Sequence, residues 1–576
     1  LQVPAQEDFK MKLRFPIIAL VAACIAAGAY AQGQIKHIML ISIDGMHAVD
    51  FKNCVQGVAG VNNGEPYCPN LAKLNKHGVS YVNASTSKTS DSFPGLMTIV
   101  TGATPRTMGI YYDVAYDRSL DGPAVATWYG NGPGPCTPGG KPTGFTTEYE
   151  EAIDIDYTKL NGGAPGASLT DGTEASLDTT RMDRDPARGC APVLPTDFVR
   201  VNSIFGLIHA NGGFVAWSDK HPSYSSVAGH GGKLDDFYGP EINSLVVALP
   251  GVTTPDGVNC SSIPDTAADL TAWTNSFTNI KCYDVLKVNA VLNWINGRSH
   301  LGNSSLPNNI TPTVFGMNFQ AVSVGQKYIE NGLKGGYTDA AGTPTASLVS
   351  DIVFTDDSIG EMIQALRSRG LLDSTLIIIT AKHGQSPIDP NQYNAVPGKT
   401  GNGMSPATII ATNLPAAMPA SESPLGSGVG STEDDVSLLW LTNSSYTDQA
   451  VKLLEDNRTT WGGGQLYYGP TLALNYNDPT KDPRTPDIIV TPTPGVTYTG
   501  SNTKQMEHGG FAHDDTNVML LLSNPAIKSR TIFSEVGTLQ IAPTVLSVLG
   551  LDPNLLDGVR LEGTVALPNL TFGGND

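Results

Sequence analysis

Residues 36–43, KHIMLISI, make a short, Ile-rich apolar run that stops at Asp44-Gly45, and the recurrence of such runs limits the possible folds more than any other feature. Similar runs occupy 213–216, 376–380, 487–491 and 517–522, each closed by a polar or glycine-rich turn. Their length and lack of polar alternation mark strands buried on both faces. Between them, Ile359, Met362, Ile363 and Leu366 recur at helical spacing over 357–369, with Gly370 as C-cap. Buried strands alternating with amphipathic helices predict an α/β fold built on one large, mostly parallel sheet covered on both sides.

The remaining stretches are of another kind. Residues 113–200 and 222–310 are rich in Gly, Pro, Thr and Asp, show little helical period and hold four cysteines, so they read as disulfide-pinned insertions. Residues 413–434, rich in Ala, Pro, Ser and Gly, read as a surface loop opening a third insertion that extends to about 480.

The N-terminal region differs in composition from everything after it. Met11, Lys12 and Arg14 precede an apolar run from Phe15 to Ala29, and Ala29-Tyr30-Ala31 has the small-x-small pattern of a signal-peptidase site. Residues 1–31 are therefore expected to be a leader plus signal peptide cleaved after Ala31, leaving 32–576 as a single catalytic domain. The six cysteines beyond Cys24 fall into sequence-close pairs, Cys54 with Cys68, Cys136 with Cys190 and Cys260 with Cys282. An even count behind a signal peptide favours disulfides, although six cysteines allow fifteen pairings. Sequons at Asn83, Asn259, Asn303, Asn309, Asn443, Asn457 and Asn569 add N-linked glycans to the expectation of a secreted, extracellular protein. No later run has the length of a membrane span, and 568–576 carries neither an anchor signal nor a retention signal, so no membrane anchor is expected. The net charge of −19 argues against duplex nucleic acid as a partner.

Ligands of open α/β sheets bind beyond the carboxyl ends of the strands, so the residues after the apolar runs are the candidates for chemistry. Asp44 is the first; an Asx-turn is the plain alternative. Ser92 precedes Pro94 and the apolar segment 96–101, which places it at a helix N-terminus, where backbone N–H groups stabilise an alkoxide or a phosphoryl oxygen. A simple N-cap is the alternative there. Lys382 and His383 follow 376–380, and His508, with His513 and Asp514 behind it, precedes 517–522. Asp219 and His221 follow 213–216 in the run Ser-Asp-Lys-His-Pro, as auxiliary candidates. Of the paired carboxylates, Asp235-Asp236 reads as a solvated loop and Asp356-Asp357 as a helix N-terminus.

Taken in order, ISIDG at 41–45, SFPGLMTIVTG at 92–102, KHG at 382–384, HGGF at 508–511 and QIAPTVL at 540–546 resemble the type I phosphodiesterase/nucleotide pyrophosphatase family of the alkaline phosphatase superfamily. The resemblance implies a three-layer α/β/α sandwich and a two-metal, usually zinc, site with a Ser or Thr nucleophile that forms a covalent intermediate. Carried over, Ser92 falls on the nucleophile, Asp44 and His383 on ligands of the metal that activates it, and His508 on a ligand of the other metal. Three departures accompany the match. Lys382 stands in place of an Asp ligand, Gly95 in place of a phosphoryl-binding Asn, and Val322 and Gln326 in place of the Asp and His of a D-x-x-x-H segment.

The implied function is a secreted phosphoric ester hydrolase acting on a small-molecule phosphodiester or pyrophosphate, extracellular nucleotides among the candidates, through a covalent Ser92 intermediate. The departures predict one divalent ion or none instead of two, with the Lys382 ammonium near Asp44 and Ser92 supplying part of the missing charge. The alternatives are a phosphomonoesterase, a phosphonate hydrolase, or a secreted binding protein that has lost two-metal catalysis. A sulfatase is disfavoured, because SFPGL lacks the Arg of the C/S-x-P-x-R modification motif.

Overall fold

The computed structural model describes residues 35–127, 132–148, 177–243, 249–262, 273–397, 403–418 and 432–572. The expected leader and signal peptide, 149–176 of the first insertion and 419–431 of the third lie outside the described residues.

Eight strands form the central sheet: β1 (His37–Ile43), β2 (Gly78–Tyr81), β3 (Val215–Ser218), β4 (Asp236–Tyr238), β5 (Val314–Phe319), β6 (Thr375–Thr380), β7 (Leu520–Ser523) and β8 (Arg530–Ile532). Their order is β8-β2-β7-β6-β1-β5-β3-β4, and β7 alone runs against the others. Strand geometry sends alternate side chains to opposite faces. Met39, Ile41 and Ile43 accordingly face a core with helices α2 (Asn279–Ile295), α3 (Ala321–Lys327) and α4 (Ala346–Ser368). Ile38 and Leu40 face another with α1 (Ser92–Thr101) and α5 (Ile541–Val548). The result is the expected three-layer α/β/α arrangement on a largely parallel sheet.

Four local readings change. The run at 487–491 becomes strand Ile488–Thr491 of a separate four-stranded antiparallel sheet, because its neighbours are Ser437–Leu439 and Gln465–Tyr468. Helix α4 begins eleven residues before the predicted start, capped by Thr345, whose hydroxyl accepts from the Leu348 amide. Asp356 therefore lies mid-helix, and its carboxylate receives the Asn70 and Leu71 amides at 3.0 and 2.7 Å, capping the neighbouring helix Pro69–Asn75 instead of its own. Asp236 begins β4 and accepts from Trp294 Nε1 and His300, so it is not a solvated loop residue.

All three sequence-close cysteine pairs are disulfide-bonded. No helix among the described residues is long and apolar enough to cross a membrane.

Candidate active site

Register sets the site. Ser42 lies level with Asn318 on β5 and Thr380 on β6, so Asp44, Gln320 and Lys382 emerge together at the carboxyl edge of the sheet. The Gly45 amide bonds the His383 carbonyl at 3.1 Å, tying the two turns. Helix α1 arrives from the other layer with Asp91 as its N-cap, accepting from the Phe93 amide at 3.1 Å, and Ser92 in its first turn.

Ser92 Oγ meets three groups. His383 Nε2 is at 3.1 Å, Asp44 Oδ2 at 3.4 Å and Lys220 Nζ at 3.4 Å. His383 Nδ1 donates to the Gly384 carbonyl at 2.9 Å, which leaves the Nε2 lone pair facing the Ser92 hydroxyl. Burial, opposed by Asp44 and by the Gly384 hydrogen bond, lowers the His383 pKa to about 4, so the imidazole is neutral at physiological pH. Burial would raise the pKa of Asp44, but Lys382, His383, Lys220 and the Gln320 amide outweigh it and hold the carboxylate at about 2. Gln320 Nε2 and Asn318 Nδ2 donate to Asp44 Oδ2 at 2.5 and 3.2 Å, whereas Oδ1 has no hydrogen-bond partner among the described residues.

The other candidates divide. His508 lies beside His383, ring centroids 4.1 Å apart and the planes tilted by 36°, with its Nδ1 3.6 Å from Asp91 Oδ1. It lines a cavity of about 340 Å³ that also holds Tyr112, Lys327, Asp434, Tyr498 and Lys504. Ser92 is only 1 % exposed and is not part of that lining, which His508 reaches beside His383. Lys382 does not reach Ser92: its ammonium pairs with Asp219 Oδ1 at 2.8 Å, over the Tyr224 ring, both partners fully buried. Asp219 thus serves as the counter-ion of Lys382, with Trp217 Nε1 on its other oxygen at 3.1 Å. His221 Nδ1 meets both oxygens of buried Glu241 at 2.9 Å, turned to a partner of its own. His513 is exposed and borders, with Asp514, a different cavity of about 280 Å³ shared with His47 and Ile388. The residue missed from sequence is Lys220. It sits in the Ser-Asp-Lys-His-Pro run, where Asp219 and His221 offer an acid, a base or a ligand and Lys220 offers only a charge.

The two metal ions implied by the resemblance do not fit these residues. Among the described residues no group of three or more His, Cys, Asp or Glu is arranged to hold an ion. Val322 is packed in the hydrophobic core, and the Gln326 amide is engaged by the Gly45 carbonyl, Asp50 and Tyr337. Neither turns a donor toward Ser92, and an ammonium already stands against the hydroxyl a metal would bind.

Comparison with known proteins follows the same division. A sequence model described as type I phosphodiesterase/nucleotide pyrophosphatase matches residues 38–143 and 341–515. Those segments carry Asp44, Ser92, Lys382, His383 and His508, whereas Lys220, Val322 and Gln326 fall in the unmatched stretch between them. No curated protein matches the chain. Among solved structures, murine ectonucleotide pyrophosphatase/phosphodiesterase 5 is 12% identical with a TM-score of 0.48, over 90% of this chain and 96% of that one. An inactive form of the murine protein in complex with AMP gives 12% and 0.49 over the same shares. Human ectonucleotide pyrophosphatase/phosphodiesterase 5 gives 13% and 0.47, over 89% of this chain and 95% of that one. On the matched segments and the motifs within them, this chain belongs to the type I phosphodiesterase/nucleotide pyrophosphatase family.

Proposed function

We propose that the chain hydrolyses phosphodiester or pyrophosphate bonds of small molecules through a covalent intermediate on Ser92. The family is one of hydrolases for such bonds, with metal-dependent hydrolysis at the family level. One observation carries the reading for this chain: Ser92 Oγ, at the N-terminus of α1, faces the lone pair of a neutral His383 at 3.1 Å. In the first step the hydroxyl proton passes to His383 Nε2 as the Oγ–P bond forms, and the P–O bond to the leaving group breaks. The imidazolium returns that proton to the leaving oxygen. Water then attacks the phosphoseryl group, His383 taking and returning its proton in the same way. Asp44 stabilises the transient imidazolium from 3.9 Å, and the dipole of α1 favours the phosphoryl oxygens.

Residues 32–576 act as one catalytic unit in this reading, with 113–200, 222–310 and 413–480 as insertions, since α2 from the second packs onto the central sheet. Secretion is supported by the three disulfides and by the sequons. Asn83, Asn259, Asn303, Asn309, Asn443 and Asn569 are exposed, while Asn457 is half-buried and uses its amide on the Leu453 carbonyl.

Hydrolysis of a p-nitrophenyl phosphodiester and of the matching monoester by wild type and Ser92→Ala tests the proposal. Diester turnover should fall at least about a thousandfold in the variant. Equal turnover in Ser92→Ala overturns the nucleophile, faster monoester turnover points to a phosphomonoesterase, and inactivity toward both esters favours the binding protein, which the lost ligand pair at Val322 and Gln326 already recommends.

A further inference from the structure

We infer that Lys220 holds the place of a metal ion at Ser92, and that the chemistry of this site runs on a fixed ammonium. The inference rests on Ser92 being the nucleophile. Its first support is position: Nζ lies 3.4 Å from Ser92 Oγ, closer than any other cation described around that atom.

The second support is that the loop is built to hold Lys220 there. Its amide donates to Asp219 Oδ1 at 2.9 Å, and its carbonyl accepts from Tyr283 Oη at 3.1 Å and the Ile242 amide at 3.0 Å. Both backbone groups are fixed, so the side chain starts from one place. The third is that the other lysine of the site is held elsewhere, since Lys382 gives its ammonium to Asp219 Oδ1 at 2.8 Å.

The fourth support is exclusion by charge and by donors. A divalent ion sits about 2.0–2.2 Å from its oxygen ligands, so an ion on Ser92 Oγ would lie no more than about 5.5 Å from Lys220 Nζ. Like charges at that range in a buried site repel strongly. The carboxylate that would offset this at an ion on Ser92 is missing, because Lys382 stands in place of the Asp ligand and gives its own ammonium to Asp219. An ammonium supplies the same service as the metal in one respect: it stabilises developing charge on Oγ and then on a phosphoryl oxygen, while keeping all its protons. The proton leaving Ser92 goes to His383, the Oγ–P bond forms, and the leaving group departs.

The test uses the intact protein, stripped with a chelator and checked for bound metal by mass spectrometry, then treated with a fluorophosphonate probe. Attack by Ser92 forms an Oγ–P bond and expels fluoride, and peptide mapping locates the adduct. Metal-free wild type should label at Ser92, added zinc should not speed labelling, and Lys220→Met should slow it about a hundredfold or more. Methylammonium should restore part of the rate in Lys220→Ala but not in wild type, a rescue that a purely structural lysine would not show. Labelling that requires zinc in wild type overturns the inference while leaving Ser92 as nucleophile, and this arm decides even where a variant does not fold. Equal labelling of wild type and folded Lys220→Met overturns it too. A wild type that never labels at Ser92, with or without zinc, removes the nucleophile reading and the inference with it.

Discussion

A single backbone carbonyl decides how His383 works. Because Gly384 O takes the Nδ1 proton, the basic nitrogen is the one turned to Ser92. His383 acts as a base only when unprotonated, and its pKa of about 4 leaves it unprotonated through the neutral range. The expected kcat/KM profile for the diester is therefore flat near neutrality and falls as pH drops through about 4, not through the ordinary histidine value near 6.5. Asp44 raises that pKa, so in Asp44→Asn the acid limb should move to still lower pH, alongside any loss of rate. A limb near 6.5 in both proteins would show that another group controls it. At this scale the sequence was informative where Asp44 and His383 follow buried runs and where Ser92 opens a helix: the three converge. It misdirected at Lys382, because whether an ammonium reaches Ser92 or a carboxylate depends on Asp219, which is 163 residues away in the chain.

Helix α1 and the end of β6 touch backbone to backbone. A Cβ on Gly95 would lie 2.1 Å from the Lys382 carbonyl oxygen, so the absent side chain is what lets α1 bring Ser92 beside His383. That close approach also explains why an Asn has no room here. Gly95→Ala should lower stability by about 1–3 kcal/mol or more in denaturant unfolding and displace Ser92, reducing its fluorophosphonate labelling. Unchanged stability and labelling would mean the two elements separate freely. The one-sided apolar stripe of α4 and the unbroken apolar run of β1 were legible. Helix α2 was not, because nearly every side chain along it is buried and no stripe remains to count. The direction of β7 and the allotment of Ile488–Thr491 to a second sheet depend on pairing partners, which a local apolar run does not encode.

Across the whole molecule, the disulfides close excursions of the chain on themselves. Cys136–Cys190 closes the longest, a separation of 54 residues, and by chain entropy it contributes about 4 kcal/mol. Replacing both cysteines by Ala should lower the unfolding free energy by up to that amount while sparing Ser92 labelling, since neither cysteine touches the site. Loss of labelling in a protein that remains folded would show that this excursion shapes the site. The buried pair of Lys382 and Asp219 governs something else, the mutational routes open to this chain. Lys382→Asp, the change that would restore a metal ligand, sets two buried carboxylates against each other. Removing Asp219 first strands an ammonium without its counter-ion, at about 3–5 kcal/mol. Neither step regains the second metal while Val322 and Gln326 remain as they are. Every one-residue road back to two-metal chemistry therefore crosses a less stable protein, and the ion pair works as a ratchet on the history of the fold.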